Sequence, residues 1–110
     1  MKDDGVFLRH ILDEIDYLLK RTKTLTFDQL MDDETLKRAL SRSLEIIGEA
    51  SKNLSDKFKN NHPEVEWKKI AGLRDKLIHS YFGVDWYTVW DVVRIKIPEL
   101  KNQLEKLKHG

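Results

Sequence analysis

The chain contains no cysteine, few residues that break helices and almost no excess of charge. Without cysteine it forms neither a disulfide nor a thiolate metal site, which is typical of a reducing compartment. Five glycines and two prolines in 110 residues leave few positions for chain breaks. The formal net charge of +1 provides no global attraction to nucleic acid or anionic lipid. Any nucleic-acid contact would therefore have to come from a local basic patch.

Long apolar runs are absent as well. No stretch approaches the roughly 20 residues of a membrane span, and the charged start lacks the apolar core of a signal peptide. Hydrophobic residues make up 40% of the chain and charged residues 35%, a composition typical of a well-solvated globular protein. A chain of 110 residues is too short for two good cores. We therefore expect one soluble, cytoplasmic domain over residues 1–110, without membrane contact.

Apolar residues recur at intervals of three and four, and strand-like alternation is absent. The first helix is predicted from about Asp4 to Arg21. Thr26 and Gln29 have the spacing of a capping box, which predicts a short helical turn from Phe27 to Met31. A long helix should follow a cap at Asp32 or Asp33 and continue to about Lys59.

The second half of the chain predicts two more helices. Asn60 to Pro63 reads as a turn, and a helix begins near Glu64 and closes at Gly83. Asp85 should cap the last helix, in which Pro98 predicts a kink without dividing the helix in two. The expected fold is all-α, an antiparallel bundle of four to five helices.

Arg74 is the most unusual residue of the predicted bundle, because it stands within an apolar stripe. With about 100° per residue on a helical wheel, five apolar or aromatic residues fall within roughly 60° of it: Trp67, Ile70, Leu77, Ile78 and Tyr81. A guanidinium keeps its charge at any usable pH, so its burial alone is costly. Arg74 therefore needs a carboxylate, a group of carbonyls or an anion supplied from outside.

His79, Asp75 and Tyr81 accompany this arginine. His79 lies at about 140° from Arg74 on the wheel and about 7.5 Å along the axis, and imidazole titrates near neutrality. Asp75 precedes His79 by four residues and can hold the imidazole in one orientation. Two ordinary explanations stay open: an arginine can extend its charge from the edge of an apolar face, and a histidine near a helix end can be a dipole partner.

Several other polar residues also allow two interpretations. Glu49 is either a solvated charge or a partner for Arg74. The basic run Lys20–Lys23 most simply complements the C-terminal end of the first helix, and otherwise forms a patch for RNA. His10 lies off the apolar stripe of its helix, so we predict a solvated side chain, and His62 has no ligand-type neighbour in sequence. No two histidines have helical spacing, so we predict no metal site. No glycine-rich phosphate loop is present either.

The octet Arg74-Asp75-Lys76-Leu77-Ile78-His79-Ser80-Tyr81 resembles the motif of the HEPN superfamily, an arginine, four residues, a histidine, any residue and a tyrosine. It is most similar to the HepT-type toxins. Two further segments resemble recurring parts of that family, Ile46-Ile47-Gly48-Glu49-Ala50-Ser51 and Tyr81-Phe82-Gly83-Val84-Asp85. The likeness covers nearly the whole chain. It implies a HEPN-like helical domain that forms a homodimer, in which the two motifs meet in a shared cleft.

The same resemblance implies the toxin of a toxin–antitoxin pair, a metal-independent endoribonuclease without a cofactor. Arg74 and His79 would be the catalytic pair that cleaves RNA, with Asp75 and Tyr81 in supporting roles. A nucleotidyltransferase antitoxin would silence the toxin by transferring AMP to Tyr81. Two alternatives stand beside this reading. One is a non-catalytic nucleotide- or substrate-binding subunit of a nucleotidyltransferase, and the other is a plain helical interaction domain in which Arg74 pairs with an acid such as Glu49.

Overall fold

The computed structural model describes residues 3–73, 75 and 85–108. No strand is present in this part of the chain, which confirms the all-α prediction. The helices are α1 (Asp4–Thr22), α2 (Phe27–Met31), α3 (Glu34–Asn53), α4 (Asp56–Asn61), α5 (Trp67–Ala71), α6 (Trp86–Asp91) and α7 (Ile97–Lys108). A π-helical segment, Val92–Lys96, joins α6 to α7, and these three segments together are called the last helix below.

Side-chain caps fix where the early helices begin. At the start of α2, the Gln29 backbone N–H donates to Thr26 Oγ1 over 3.1 Å, and the Thr26 N–H donates to Gln29 Oε1 over 3.0 Å. This is the predicted capping box. Of the two candidates for α3, the cap is Asp33, whose carboxylate accepts from the Leu36 N–H over 2.9 Å. Each cap satisfies a backbone N–H that has no partner inside its helix.

The bundle is built around α1, which packs against α3 and against the last helix. Asp4, at the start of α1, bonds to Ser55, just past the end of α3, so these two helices are antiparallel. The last helix also runs against α1, because Asp16 pairs with Lys101 over 3.1 Å while Thr22 bonds to Arg94. The antiparallel bundle is therefore confirmed. In addition, α2 and α5 pack against α3.

The predicted apolar stripes meet in one buried cluster. Ser43 and Ser51 of α3 are buried with the aliphatic residues, as expected for small residues where helices approach closely. The larger part of the aliphatic core comes from three helices: Ile11, Leu12, Ile15 and Leu18 from α1, Leu36, Leu40, Leu44 and Ile47 from α3, and Val89, Val93, Ile97, Leu100 and Leu104 from the last helix.

The prediction of one helix from Asp33 to Lys59 is wrong. Helix α3 ends at Asn53, and Leu54 is extended, with φ −63° and ψ 144°. Ser55 then caps α4 by accepting from the Phe58 N–H over 3.1 Å. The break is stabilised from outside the segment, because Asp4 accepts from both the N–H and the hydroxyl of Ser55, each over 2.7 Å. Two of the residues predicted to form a turn, Asn60 and Asn61, therefore belong to α4.

The helix expected from Glu64 begins three residues later. Helix α5 covers Trp67–Ala71, and Gly72 forms a turn directly after it. The preceding segment is fixed by Trp67, whose indole N–H donates to the His62 carbonyl over 2.9 Å and whose ring contacts Phe58 edge to face at 5.8 Å. Trp67 is buried, and Trp86 and Trp90 are half-buried.

The last helix continues through Pro98, as predicted, but it changes its bonding before the proline. In the π-helical segment Val92–Lys96, the Ile97 N–H donates to the carbonyl of Val92, five residues earlier. Pro98 has no N–H to donate to the Arg94 carbonyl. The wider turn accommodates the proline without ending the helix, since the backbone is helical on both sides.

Candidate functional site

The motif residues Arg74, His79 and Tyr81 lie outside the described residues, and so does Gly83. Asp75 is described, and it is a helical residue with an exposed side chain. Its proposed role of orienting His79 stays a prediction. The residues that flank the motif are Gly72 and Leu73 before it and Asp85 after it, and they define how the chain enters and leaves the candidate site.

The entry to the motif passes through the turn at Gly72. Its ψ of −9° differs from the value near −42° of a regular α-helix. The helical wheel that aligned Trp67 and Ile70 with Arg74 assumed an uninterrupted helix, and this turn removes the basis for that alignment. Gly72 is therefore the end of α5, where sequence reasoning placed it in a helix interior.

The exit from the motif is fixed by Asp85, which caps α6 as predicted. Its carboxylate accepts from the N–H groups of Tyr87 and Thr88 over 3.1 and 3.3 Å, and from the Thr88 hydroxyl over 2.8 Å. The hydrogen bonds from Thr88, followed by the one from Tyr87, hold the pKa of Asp85 below its ordinary value. The segment that contains the motif therefore ends at a fully formed helix cap.

A groove of about 500 Å³ lies between α5 and the last helix. It reaches Gly72 and Leu73, which directly precede Arg74 in sequence. Its apolar lining comes from Ile70, Leu73, Val92, Ile97 and Leu100, and its polar lining from Glu64, Glu66, Lys69, Lys96, Glu99 and Gln103. The mixture of positive and negative side chains gives this groove no strong preference for an anion.

An ion pair at this groove joins Lys69 and Glu66 over 2.7 Å. The hydrogen bond and the charge of Lys69 lower the pKa of Glu66, and Glu66 raises the pKa of Lys69 for the same reasons. Both side chains are largely exposed, so water screens the interaction and it adds little stability. The pair keeps Lys69 partly neutralised at the border of the groove.

A second groove, of about 390 Å³, lies between α1 and α3. It contains part of the segment that resembles the family, because Ile46, Glu49 and Ala50 line it together with His10 and Arg42. Glu49 and His10 are exposed. The prediction of a solvated His10 is therefore confirmed. The alternative in which Glu49 pairs with Arg74 stays a prediction, because Arg74 lies outside the described residues.

Sequence reasoning missed an aromatic cluster at the start of the last helix. The Tyr87 ring stacks on Phe27 of α2, with the ring centroids 4.5 Å apart and the planes at 19°. Phe27 in turn meets Trp90 edge to face at 6.0 Å, and the guanidinium of Arg94 lies 5.2 Å from the Trp90 ring. The available signal was an aromatic residue, Tyr87, outside the apolar stripe of its own helix.

Neither a metal site nor a membrane-spanning helix is found among the described residues. Across residues 3–73, 75 and 85–108, no three His, Cys, Asp or Glu side chains come together in a way that could hold a metal ion. In the same part of the chain, no helix combines the length and the apolar character needed to cross a membrane.

Similarity to a protein family extends over most of the chain. Residues 11–107 match the model of the family described as Ribonuclease HepT-like. The matched region includes α2 to α6, most of α1 and α7, and the whole motif from Arg74 to Tyr81. No solved structure matches the chain significantly.

Several individual proteins are similar along nearly their whole length. A protein of Caldanaerobacter subterraneus subsp. tengcongensis named "Putative RNase TTE0752" is 48% identical over 107 residues, which cover 97% of this chain and 96% of its own. "Probable ribonuclease HepT" of Thermococcus cleftensis is 44% identical over 102 residues, 93% of each chain. "Putative RNase MJ0127" of Methanocaldococcus jannaschii is 43% identical over 106 residues, 96% of this chain and 88% of its own. The chain belongs to the HepT-like ribonuclease family.

Proposed function

We propose that the protein is the toxin of a toxin–antitoxin pair, and that it cleaves RNA with Arg74 and His79 in a cleft between two protomers. Membership of the HepT-like ribonuclease family makes the chain an endoribonuclease by class. The observation that carries the finer proposal is that the family match spans residues 11–107 and so includes both residues at the spacing of the motif. Three similar proteins carry ribonuclease names.

The residues fit the chemistry of RNA cleavage by the 2′-hydroxyl. That oxygen attacks the adjacent phosphorus, loses its proton to a base, and displaces the 5′-oxygen, which takes a proton from an acid. A histidine near its ordinary pKa can serve as either group at neutral pH. The planar guanidinium of Arg74 can bind two phosphate oxygens and stabilise the charge that collects on them in the transition state.

A homodimer supplies what one chain lacks. Each chain offers one histidine in the motif, and the reaction needs both a base and an acid. A two-fold axis through the cleft brings the His79 of each protomer to the same phosphate. The dimer also accounts for an arginine beside Leu77 and Ile78, since that face would then line a hydrated cleft and not a dry core.

Asp75 and Tyr81 have supporting roles in this proposal. Asp75 is helical and exposed, four residues before His79, a spacing that allows its carboxylate to orient the imidazole. Tyr81 would orient the phosphate and would accept AMP from a nucleotidyltransferase antitoxin. A bound AMP adds bulk and negative charge to a cleft that has to receive RNA phosphates, which explains the silencing.

The catalytic assignment is tested by substitution of the histidine in purified protein. His79→Ala should abolish cleavage of a labelled RNA and relieve growth arrest on expression, while the helical circular dichroism signal stays unchanged. His10→Ala, at an exposed histidine of α1, is the matched control and should cleave like the parent. Cleavage by His79→Ala at the parental rate would contradict the assignment. A parent that binds a nucleotidyltransferase but cleaves no RNA and causes no arrest would instead be a non-catalytic subunit.

The antitoxin partnership is tested by intact mass. Co-expression with a candidate nucleotidyltransferase should add whole AMP units to the protein, and Tyr81→Phe should prevent the addition. Tyr87 is the appropriate control, because it is the most exposed of the large apolar and aromatic side chains in the described residues and would compete as an acceptor. A mass gain that persists in Tyr81→Phe and disappears in Tyr87→Phe would place the modification on Tyr87 and contradict the proposal.

A further inference from the structure

We propose that the exposed face of Tyr87 is a stacking site for an unpaired base of the RNA substrate, and that Arg21, Lys23 and Arg94 contact the phosphates of the same strand. This inference rests on the proposed function, because it extends RNA binding beyond the motif. The three aromatic residues Phe27, Tyr87 and Trp90 are called the aromatic patch below, and the three cations are called the basic rim.

The exposure of Tyr87 carries the first part of the argument. Its side chain is 72% exposed. Folding of this chain therefore removes little of the apolar surface of the ring from water and gains little stability from it. One face of the ring is covered by Phe27 at 4.5 Å. The opposite face is therefore the surface on which a planar ligand could stack.

The ring is also held in place before any ligand binds. Phe27 lies between Tyr87 and Trp90, and the Trp90 ring is backed by the Arg94 guanidinium at 5.2 Å. A tyrosine fixed in this way loses little side-chain entropy on binding. Aromatic platforms of this kind bind the bases of single strands without regard to sequence, because every base has a π face.

The basic rim lies next to the aromatic patch. Arg94 follows Tyr87 by seven residues, about 10 Å along a helix, and it donates a hydrogen bond to the Thr22 carbonyl over 3.0 Å. Arg21 and Lys23, both exposed, flank Thr22 in sequence. Two stretches of chain thus bring three cations to one end of the bundle. The basic run Lys20–Lys23, predicted to complement the C-terminal end of the first helix, therefore also adjoins the aromatic patch.

Two exposed acids also adjoin the aromatic patch in sequence. Asp28 follows Phe27 in the chain and Asp91 follows Trp90, and both are exposed. A single strand that lays one base on Tyr87 would therefore pass its phosphates over the basic rim at the end of α1 and not over these carboxylates. A net charge of +1 requires any such electrostatic attraction to be local.

The position along the chain connects this surface to cleavage. Tyr87 follows the helix cap Asp85 by two residues, and Asp85 directly follows the segment that contains Arg74, His79 and Tyr81. A strand held at the aromatic patch is therefore anchored close in sequence to the exit from the motif. The protein should therefore bind a longer RNA, which can reach both the motif and the aromatic patch, more tightly than a dinucleotide.

The test measures binding of a fluorescein-labelled 2′-O-methyl RNA strand by anisotropy, since this strand lacks the 2′-hydroxyl and is not cleaved. Tyr87→Ala should weaken binding on the order of 10-fold, as expected for the loss of one stacked base. Tyr87→Phe keeps the ring and should bind like the parent. Tyr17→Ala, at a 39% exposed tyrosine of α1, is the matched control and should have no effect.

Salt dependence tests the basic rim separately. Replacing Arg21 and Lys23 by Gln should lower the slope of log affinity against log salt by about 0.7 for each phosphate that the variant no longer neutralises. Replacing Lys52 and Lys57, two exposed lysines near the opposite end of α1, should leave the slope unchanged. Tyr87→Ala should reduce affinity at every salt concentration without a change of slope.

The outcomes separate this inference from the proposed function. If the parent cleaves RNA and Tyr87→Ala binds and cleaves long RNA like the parent, the stacking site is refuted and the function stands. If the parent cleaves no RNA, the proposed function fails whatever Tyr87 does. If Tyr87→Ala dissociates the dimer or a nucleotidyltransferase complex and leaves RNA affinity unchanged, the aromatic patch is a protein interface and the inference is overturned.

Discussion

The Arg94 guanidinium donates a hydrogen bond over 3.0 Å to the carbonyl of Thr22, 72 residues earlier in the chain. Thr22 is the last residue of α1, where carbonyl groups have no partner within the helix. The same guanidinium lies over the Trp90 ring. One side chain therefore bonds to the end of α1 and contacts the Trp90 ring of the aromatic patch.

Arg94→Met should lower the free energy of unfolding by about 1 kcal/mol, because it removes a charge-assisted hydrogen bond at a partly hydrated site and retains most of the apolar stem. Urea denaturation followed by circular dichroism measures this difference. Arg38→Met, at an exposed arginine of α3, is the control and should change stability by less than about 0.5 kcal/mol. Equal effects of the two substitutions would show that the bond to Thr22 contributes nothing.

Asp4 and Ser55 should show energetic coupling across 51 residues of sequence. Asp4→Ala removes both of the 2.7 Å hydrogen bonds between the Asp4 carboxylate and Ser55, and Ser55→Ala removes the one from the hydroxyl. Ser55→Ala also removes the cap of α4. A double-mutant cycle isolates the shared part, which we expect to be about 1 kcal/mol. Strictly additive losses in urea denaturation would mean that the bond between the Ser55 hydroxyl and Asp4 contributes no coupling.

That break also shows where prediction from the sequence stopped. The apolar stripe of α3 continues in phase through Leu54 to Phe58, so periodicity alone favoured one helix. At the interruption, Ser55 bonds to Asp4, which reaches it only in the folded bundle. By contrast, the caps Thr26 and Asp85 act within three residues and were predictable from spacing. Local signals located most helix starts, and a long-range contact decided this helix end.

The candidate site divides in the same way. The motif from Arg74 to Tyr81 was recognisable because it is contiguous, and its resemblance to the HEPN motif implied the type of chemistry. The aromatic patch combines Phe27 with Tyr87 and Trp90, which are 60 or more residues apart in the printed sequence. No periodicity in either segment reports that contact. It follows from the packing of α2 against the bundle.

The cap at Asp85 should make stability depend on pH in acid. Hydrogen bonds from Thr88 and Tyr87 lower the pKa of Asp85 below its ordinary value of 3.8. The ionised carboxylate therefore stabilises the fold fully above pH 3.8, and this contribution is lost as the pH falls through the lower pKa of the folded state. Asp85→Ala should be less stable than the parent at pH 7, and the gap should narrow in acid.

The control for this prediction is Asp85→Asn, which keeps an oxygen that can accept from the Thr88 N–H. It should lose less stability than Asp85→Ala at pH 7. Neither substitute titrates, so the difference between these two variants should stay the same at every pH. Thermal melts followed by circular dichroism across the acid range measure all three proteins. A gap between the parent and Asp85→Ala that widens as pH falls would contradict the assignment.

Mixed dimers test whether one cleft uses both copies of His79. If the base comes from one protomer and the acid from its partner, a dimer with a single His79→Ala subunit cannot complete the reaction. When equal amounts of parent and His79→Ala exchange subunits at random, about one quarter of the dimers contain two parent subunits, so about one quarter of the parental activity should remain. If each chain worked alone, about one half of the parental activity would remain. The measurement is the initial rate of RNA cleavage at constant total protein. His10→Ala mixed in the same proportion should preserve the full rate, because the proposed mechanism gives this exposed histidine of α1 no role. A linear decline in rate with the fraction of His79→Ala would show that one histidine is sufficient and that the shared cleft is not needed for the proton transfers.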